Sequence, residues 1–470
     1  MMHILRVLFI ILEVVVLFNL LIIVHEVGHF LAARWRGLVI EKFGVWFGKP
    51  LWKKTINGVQ YSLGSIPFGG FVALPQLAPM DIIEGTVDVD RATLPRISAL
   101  DKIIVAIAGP LFSLLLALAF ACIVWVVGHP VSESDTTTIV GYLPPESPAL
   151  KAGVQAGDKI LEVDGKPVRR FSGMNDSVVW NVVRSEGATI PIKVERNGAV
   201  MDFSVEPYRA ETRGWRRKSV RQVKIVPAET AIIDEVQPGT PAAAAGLLRK
   251  DVVASIEGQK IYNPLGVIDF VEKHPDELIT LQVLRGGKPL EVKIQPKLIS
   301  ADEKKPRLGI KFDRDGLMSL DHPNPIEQVY DSITSTLNTI GAVASPKSDI
   351  KLQHLSGPVG IGRIYYMLFQ NERGWQLALW FSVILNVNLT ILNMLPIPVL
   401  DGGHIVLALI ESVRRKPVNI RVLEFVQTAC AVLIIGYMAY VSFFDIGDLF
   451  GRDSDESKSS RNAPAATPKP

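Results

Sequence analysis

The sequence predicts a polytopic α-helical membrane protein of about four transmembrane helices, carrying two tandem copies of one small α+β domain and a membrane-associated β-hairpin. Three observations predict it. Four apolar runs each reach the roughly 20 residues a helix needs to cross a bilayer. One stretch of sequence occurs twice without a gap, and an alternating strand runs into a glycine-rich loop. Of the 470 residues, 48% are hydrophobic and 21% charged, more apolar material than one core usually serves.

The four runs are 7–24, 103–127, 375–395 and 425–444, set in segments 1–36, 101–130, 375–412 and 422–445. Glu13 interrupts the first. A carboxylate there is either functional or one that snorkels or faces the bundle interior. This N-terminus has only Arg6 as an n-region charge and no A-x-A-like cleavage site, so it is expected to be retained. Arg34, Arg36, Lys42, Lys49, Lys53 and Lys54 follow the first run, and Arg414, Arg415, Lys416 and Arg421 separate the last two. By the positive-inside rule both connections are cytoplasmic, which puts the long segment after the second run, and both termini, outside. In a Gram-negative cell that is the periplasm, and the membrane is the inner one.

Segment 37–100 holds the strand VQYSL followed by GSIPFGGFVALP, residues 64–75, read as a cytoplasmic-side β-hairpin or re-entrant loop. Its backbone edge, at Gly69 and Gly70, can clamp an extended substrate strand. Phosphate cradling is the alternative use of such glycines, but no following helix or Lys/Ser pair supports it.

The outer segment contains the repeat, residues 140–168 against 233–261, which matches Pro148/Pro241, Ala152/Ala245, Gly153/Gly246, Asp158/Asp251 and Gly165/Gly258. Each copy continues into a helical stretch and a hairpin, turning at Asn197-Gly198 and at Gly286-Gly287. The domains are placed at 131–227 and 228–315. In 322–372, residues Ile326, Val329, Tyr330, Ile333, Leu337 and Ile340 recur at helical spacing, an amphipathic helix for the membrane surface or for the second repeat domain. The Ser/Pro/Lys-rich stretch 451–470 is expected to be disordered. A net charge of +3 from 50 basic and 47 acidic residues argues against nucleic acid as partner. Cys122 and Cys430 sit in apolar runs, which leaves no disulfide framework.

The chemistry concentrates in HEVGH, residues 25–29. His25 and His29, four apart, share one helix face and can both reach a tetrahedral zinc, while Glu26 beside them is placed as general base toward an activated water and then as general acid toward the leaving amine. Such groups at the end of an apolar span are costly unless a metal neutralises them. A catalytic zinc takes three protein ligands and an open position. The third candidate is Asp401 in NMLPIPVLDGGH, since one span separates the first and third runs and both ends face the cytoplasm. His404 is the alternative. Pro396 and Pro398 break the helix, and Gly402 and Gly403 let the chain turn tightly. The amides of Asn386, Asn388 and Asn393 bond between helices or hold substrate backbone, Asn393 and Asn388 being the substrate candidates.

These residues resemble the site-2 proteases, and within them the bacterial group that regulates sigma-E. The likeness runs over nearly the whole chain: HEVGHF, FGKPLWKK, IPFGGFV, AGP at 108–110, two PDZ-like domains, LSGPVGI at 355–361 and NMLPIPVLDGGH. The resemblance implies an intramembrane zinc endopeptidase with Zn2+ on His25, His29 and Asp401, Glu26 catalytic and Asn393 near the substrate. It implies single-span membrane proteins as substrates, above all an anti-sigma factor already cut on its outer side, and signal-peptide remnants as a second class. The PDZ-like pair then acts as a size filter. Leu308-Gly309-Ile310 resembles a PDZ carboxylate-binding loop, whereas 219–227 of the first domain has no glycine. Ser113 stands where the family pattern has an Asn. The rival readings are a zinc-holding scaffold without catalysis and a PDZ adaptor; Glu26, which ligation alone does not require, speaks against the first, and neither accounts for two motifs at one membrane depth.

Overall fold

The computed structural model describes residues 2–77, 94–95, 97–212, 216–299, 305–313, 316–416 and 418–460. The parts of the expected cytoplasmic-side region at 78–93 and of the expected tail at 461–470 lie outside the described residues. Two compact units divide the chain. The first is Met1–His129, His322–Leu337 and Leu355–Ile446; the second is Pro130–Asp321, Asn338–His354 and Gly447–Pro470.

The first unit begins with helix α1 (Met2–Arg36), then strands β1 (Lys42–Phe47), β2 (Trp52–Ile56), β3 (Val59–Leu63) and β4 (Ile66–Ala73), then helix α2 (Ala99–Val127). After the second unit's domains come α3 (Pro325–Ala344), α4 (Pro358–Phe369), α5 (Gly374–Asn393), α6 (Asp401–Arg414) and α7 (Ile420–Ser460). Among the described residues four helices are long and apolar enough to cross a membrane, at Ile4–Arg36, Ala99–Val127, Gly374–Asn393 and Arg421–Asp448. A capping box of Ser98 and Asp101 starts α2, and Gly128 at φ 70° ends it. Glycine and alanine let α1 and α2 meet closely: a Cβ on Gly28 would lie 2.5 Å from the Ala108 carbonyl oxygen.

The stretch 37–77 corrects the hairpin expectation. It is a four-stranded sheet in the order β2-β3-β1-β4, with β1 parallel to β3 and antiparallel to β4. KFGVWF, whose backbone is kinked at Trp46 (φ 69°), slots between the two strands that the hairpin reading would have paired. This leaves β4 as an edge strand packed along α1.

The apolar stripe of α3 is divided, with Ile326, Tyr330 and Leu337 exposed and two residues packed. Val329 and Ile333 pack against Leu21, Ala117, Phe120, Val383 and Val387 of the helices of the first unit. Gln328 Nε2 donates to the Ala121 carbonyl at 3.2 Å, and Thr336 Oγ1 bonds Asn388 Oδ1. Helix α7 continues to Ser460, so 451–460 is helical where disorder was expected. Extending an existing helix needs no new nucleus, and acidic and basic residues there are compatible with it. Further up the same helix, the buried carboxylate of Asp445 accepts the N–H groups of Gly357 and Gly360 at 3.0 and 2.9 Å and caps α4.

The second unit holds the two repeat domains, and their sheets match strand for strand. Ala199–Val205, Ile190–Arg196, Lys159–Val163 and Lys166–Pro167 lie side by side in the first, and Lys288–Ile294, Ile279–Arg285, Val252–Ile256 and Gln259–Lys260 in the second. Val140–Tyr142 pairs with Val226–Pro227 as Ile233–Val236 pairs with Ile310–Phe312. Both hairpins turn through two positive-φ residues, Asn197-Gly198 and Gly286-Gly287. The glycine missing from 219–227 has a stand-in: Lys224 takes φ 51°, as Gly309 takes φ 81°, with its ammonium 4.2 Å from the Tyr208 ring centre.

Candidate metal centre

Four residues apart on α1, His25 and His29 aim Nε2 atoms that lie 3.2 Å from each other. The first residue of α6 completes the group: Asp401 Oδ2 is 3.2 Å from His25 Nε2 and Oδ1 is 3.3 Å from His29 Nε2. Zinc bonds of about 2.0–2.1 Å set tetrahedral donors roughly 3.3–3.4 Å apart, and each imidazole nitrogen lies at about that distance from the other and from one oxygen of the Asp401 carboxylate.

Hydrogen bonds behind the rings fix which nitrogen faces inward. His29 Nδ1 is 2.8 Å from the Val105 carbonyl, which only accepts, so Nδ1 carries the proton and Nε2 turns a bare lone pair to the centre. His25 Nδ1 is 3.0 Å from Ser113 Oγ. Ser113, standing in the family's Asn position, thus supports a ligand ring. Gly109 makes the room: a Cβ there would lie 2.2 Å from His29 Nε2, which gives the Ala108-Gly109-Pro110 motif a physical reason. Asp401 Oδ2 has no hydrogen-bond partner despite its burial. Two imidazole nitrogens and a carboxylate converging in a buried site form a donor set that suits a divalent cation.

A cavity of about 250 Å³ opens on this group, lined also by Glu26, Gly70, Phe71, Asn393 and His404. A Cβ on Gly70 would lie 3.4 Å from Glu26 Cγ, and Val72 lines the same cavity. Strand β4 therefore walls the cavity beside the acid.

Other expected site residues sit elsewhere. Gly69 is not on the cavity wall; at φ 86° its missing Cβ is filled by the Phe47 ring, so it serves the turn of the strand. Asn388 faces α3, where its Oδ1 takes the Thr336 hydroxyl, which removes it from the substrate candidates. Asn386 Nδ2 donates to the Ser382 carbonyl at 2.9 Å. Leu308-Gly309-Ile310 belongs to the second unit. The side chains whose ligand atoms gather are His25, His29 and Asp401; His404 is not among them. Gly402 and Gly403 are helical and do not make the tight turn expected of them. Cβ atoms on them would lie 2.3 Å from the Met394 oxygen and 2.1 Å from the Ile397 oxygen, so they seat α6 against the chain before it. Val72 and Gly109 carried no sequence signal of their own beyond their motifs.

A family model described as Peptidase family M50 matches residues 13–437. Protease RseP of Yersinia pestis is 26% identical over 466 residues, covering 93% of this chain and 98% of that protein. Regulator of sigma-E protease RseP of Escherichia coli (strain K12) is 26% identical over 461 residues with the same coverage. The solved PDZ domain of the SdrC-like protein from Listeria innocua covers 18% of this chain and 96% of its own, at 22% identity and a TM-score of 0.17.

Proposed function

The chain belongs to peptidase family M50 and is a zinc metalloprotease, and we propose that His25, His29 and Asp401 hold its zinc while Glu26 handles the protons of peptide hydrolysis within the membrane. The observation that carries this reading is the convergence of His25 Nε2, His29 Nε2 and the Asp401 carboxylate, with 3.2 Å between the nitrogens and 3.2 and 3.3 Å from them to Oδ2 and Oδ1. Zinc bound there supplies a Lewis acid that polarises a carbonyl and acidifies water. Glu26 removes the proton of the attacking water and delivers it to the leaving nitrogen. Asn393, at the cavity wall, bonds substrate backbone.

The substrate is a single-span membrane segment opened into an extended strand along β4 beside Gly70, because a helix offers no free backbone to a protease. The sigma-E names of the relatives support a membrane-bound anti-sigma factor, first cut outside, as the natural substrate, with signal-peptide remnants second. The chain lies in the inner membrane with its centre near the cytoplasmic face, the side of the Lys/Arg-rich connections. Its two PDZ-like domains, with both termini, are periplasmic and hinder substrates that keep a bulky outer part. A peptide C-terminus, where one is held, binds at Leu308-Gly309-Ile310.

Glu26→Gln in the full chain tests the mechanism. Zinc content stays at the wild-type level and cleavage of a model single-span substrate falls by about 10²–10⁴. Undiminished zinc-dependent cleavage by that variant excludes Glu26 as the base.

A further inference from the structure

His404 is the fourth residue of α6, three after Asp401, so the two side chains leave one helix face with Cβ atoms about 5–6 Å apart. Both line the cavity, yet His404 takes no part in the ligand group. Its Nδ1 is buried without a hydrogen-bond partner. Such an atom costs about 1–3 kcal/mol, so its place in the cavity wall calls for a reason. An enclosed acceptor left alone is tolerated better than an enclosed N–H, so the proton of the neutral ring is assigned to Nε2. The backbone beneath is firmly seated: Gly402 and Gly403 press on the 394–397 carbonyls, and Lys102 Nζ holds Glu411 of α6 at 2.7 Å.

We propose that His404 is a further catalytic residue, donating from Nε2 to the scissile carbonyl oxygen as negative charge builds on it. This rests on the peptidase reading of the cleft. As the water oxygen bonds to the carbonyl carbon, the π pair moves onto the carbonyl oxygen and Glu26 takes the water proton. The carbon–nitrogen bond then breaks, its pair goes to nitrogen, and Glu26 returns the proton there. His404 keeps its own proton throughout and contributes a fixed dipole, worth most where charge changes between ground and transition state.

The test compares His404→Phe, which keeps a ring without a donor, with His404→Gln and His404→Asn, which restore an N–H and serve if the Phe variant does not fold. Zinc content, KM, kcat and inhibition by a phosphinic peptide of the substrate sequence are measured on the full chain in detergent. The expected result is unchanged zinc content and KM, a kcat lowered about 10²–10³-fold in the Phe variant, an equal loss of phosphinic-peptide affinity, and partial recovery with Gln or Asn. A wild-type kcat in the Phe variant overturns the proposal. So does a kcat loss matched by zinc loss, or one that leaves phosphinic-peptide affinity intact. The underlying peptidase reading fails separately, through an active Glu26→Gln, whatever His404 does.

Discussion

Asp158 and Asp251, one in each repeat domain, are 1% exposed and closed off on every side. Arg196 bonds Asp158 at 2.6 and 2.7 Å with the Gln155 N–H at 2.8 Å, and Arg285 bonds Asp251 at 2.9 and 2.8 Å with the Leu248 N–H at 2.8 Å. Asp401 in the membrane-spanning unit is different. Its two oxygens face two imidazole nitrogens at 3.2 and 3.3 Å, with no arginine and no backbone N–H on them among the described residues. Burying an unmatched carboxylate costs several kcal/mol, so a fold that leaves one unmatched keeps it for a cation. Counting donors around a buried acid thus separates scaffold from site.

The sharpest way to break this contrast is Asp401→Asn. Zinc is lost and turnover falls by about 10³-fold or more, read by metal analysis and substrate cleavage, while the repeat domains keep their unfolding temperature. Full zinc in that variant removes Asp401 from the ligands. Ser113→Ala is milder, because it frees the back of His25 without removing a ligand: zinc affinity drops about 10–100-fold in a chelator competition. No drop would reduce Ser113 to packing.

In the repeat domains the expected effect is on stability. Asp251→Asn weakens the second domain by about 1–3 kcal/mol in denaturant unfolding and leaves zinc affinity untouched. Burial works against the Asp251 charge, but Arg285 and the Leu248 N–H outweigh it and hold the carboxyl below its ordinary value. A depressed folded-state pKa contributes stability that is present above about pH 4 and lost as pH falls through the lower folded value. Acid should therefore loosen this domain in the wild type, and the part due to Asp251 should be missing from the Asn variant. Equal acid sensitivity in both would mean that Arg285 adds nothing.

What could be read from the sequence was what is local or periodic. Hydropathy marked the four spans, because lipid makes most residues of a span apolar. Self-similarity marked the repeats, and helical spacing paired His25 with His29. Asp401 followed from counting membrane crossings. The sheet was not legible, since the β1 pairing with β3 is parallel and skips a strand, which no turn signal announces. Asn388 looked like Asn393, and only the neighbouring helix α3 tells them apart. Gly402 and Gly403 suggested a turn because closeness to the 394–397 carbonyls is a fact of packing. For His404 the signal was present: three residues from Asp401 in a helix means the same face.

The cap on α4 has a consequence for the order in which the protein is built. Gly357 and Gly360 precede their acceptor by 88 and 85 residues, so the first turn of α4 leaves the ribosome well before Asp445 exists. Until the last span is inserted, those two N–H groups lack their carboxylate, and the segment that starts with LSGPVGI stays unlatched. The final helix is thus a closing bolt of assembly, and a chain cut short ahead of Asp445 would carry its ligand residues intact but leave α4 unfastened.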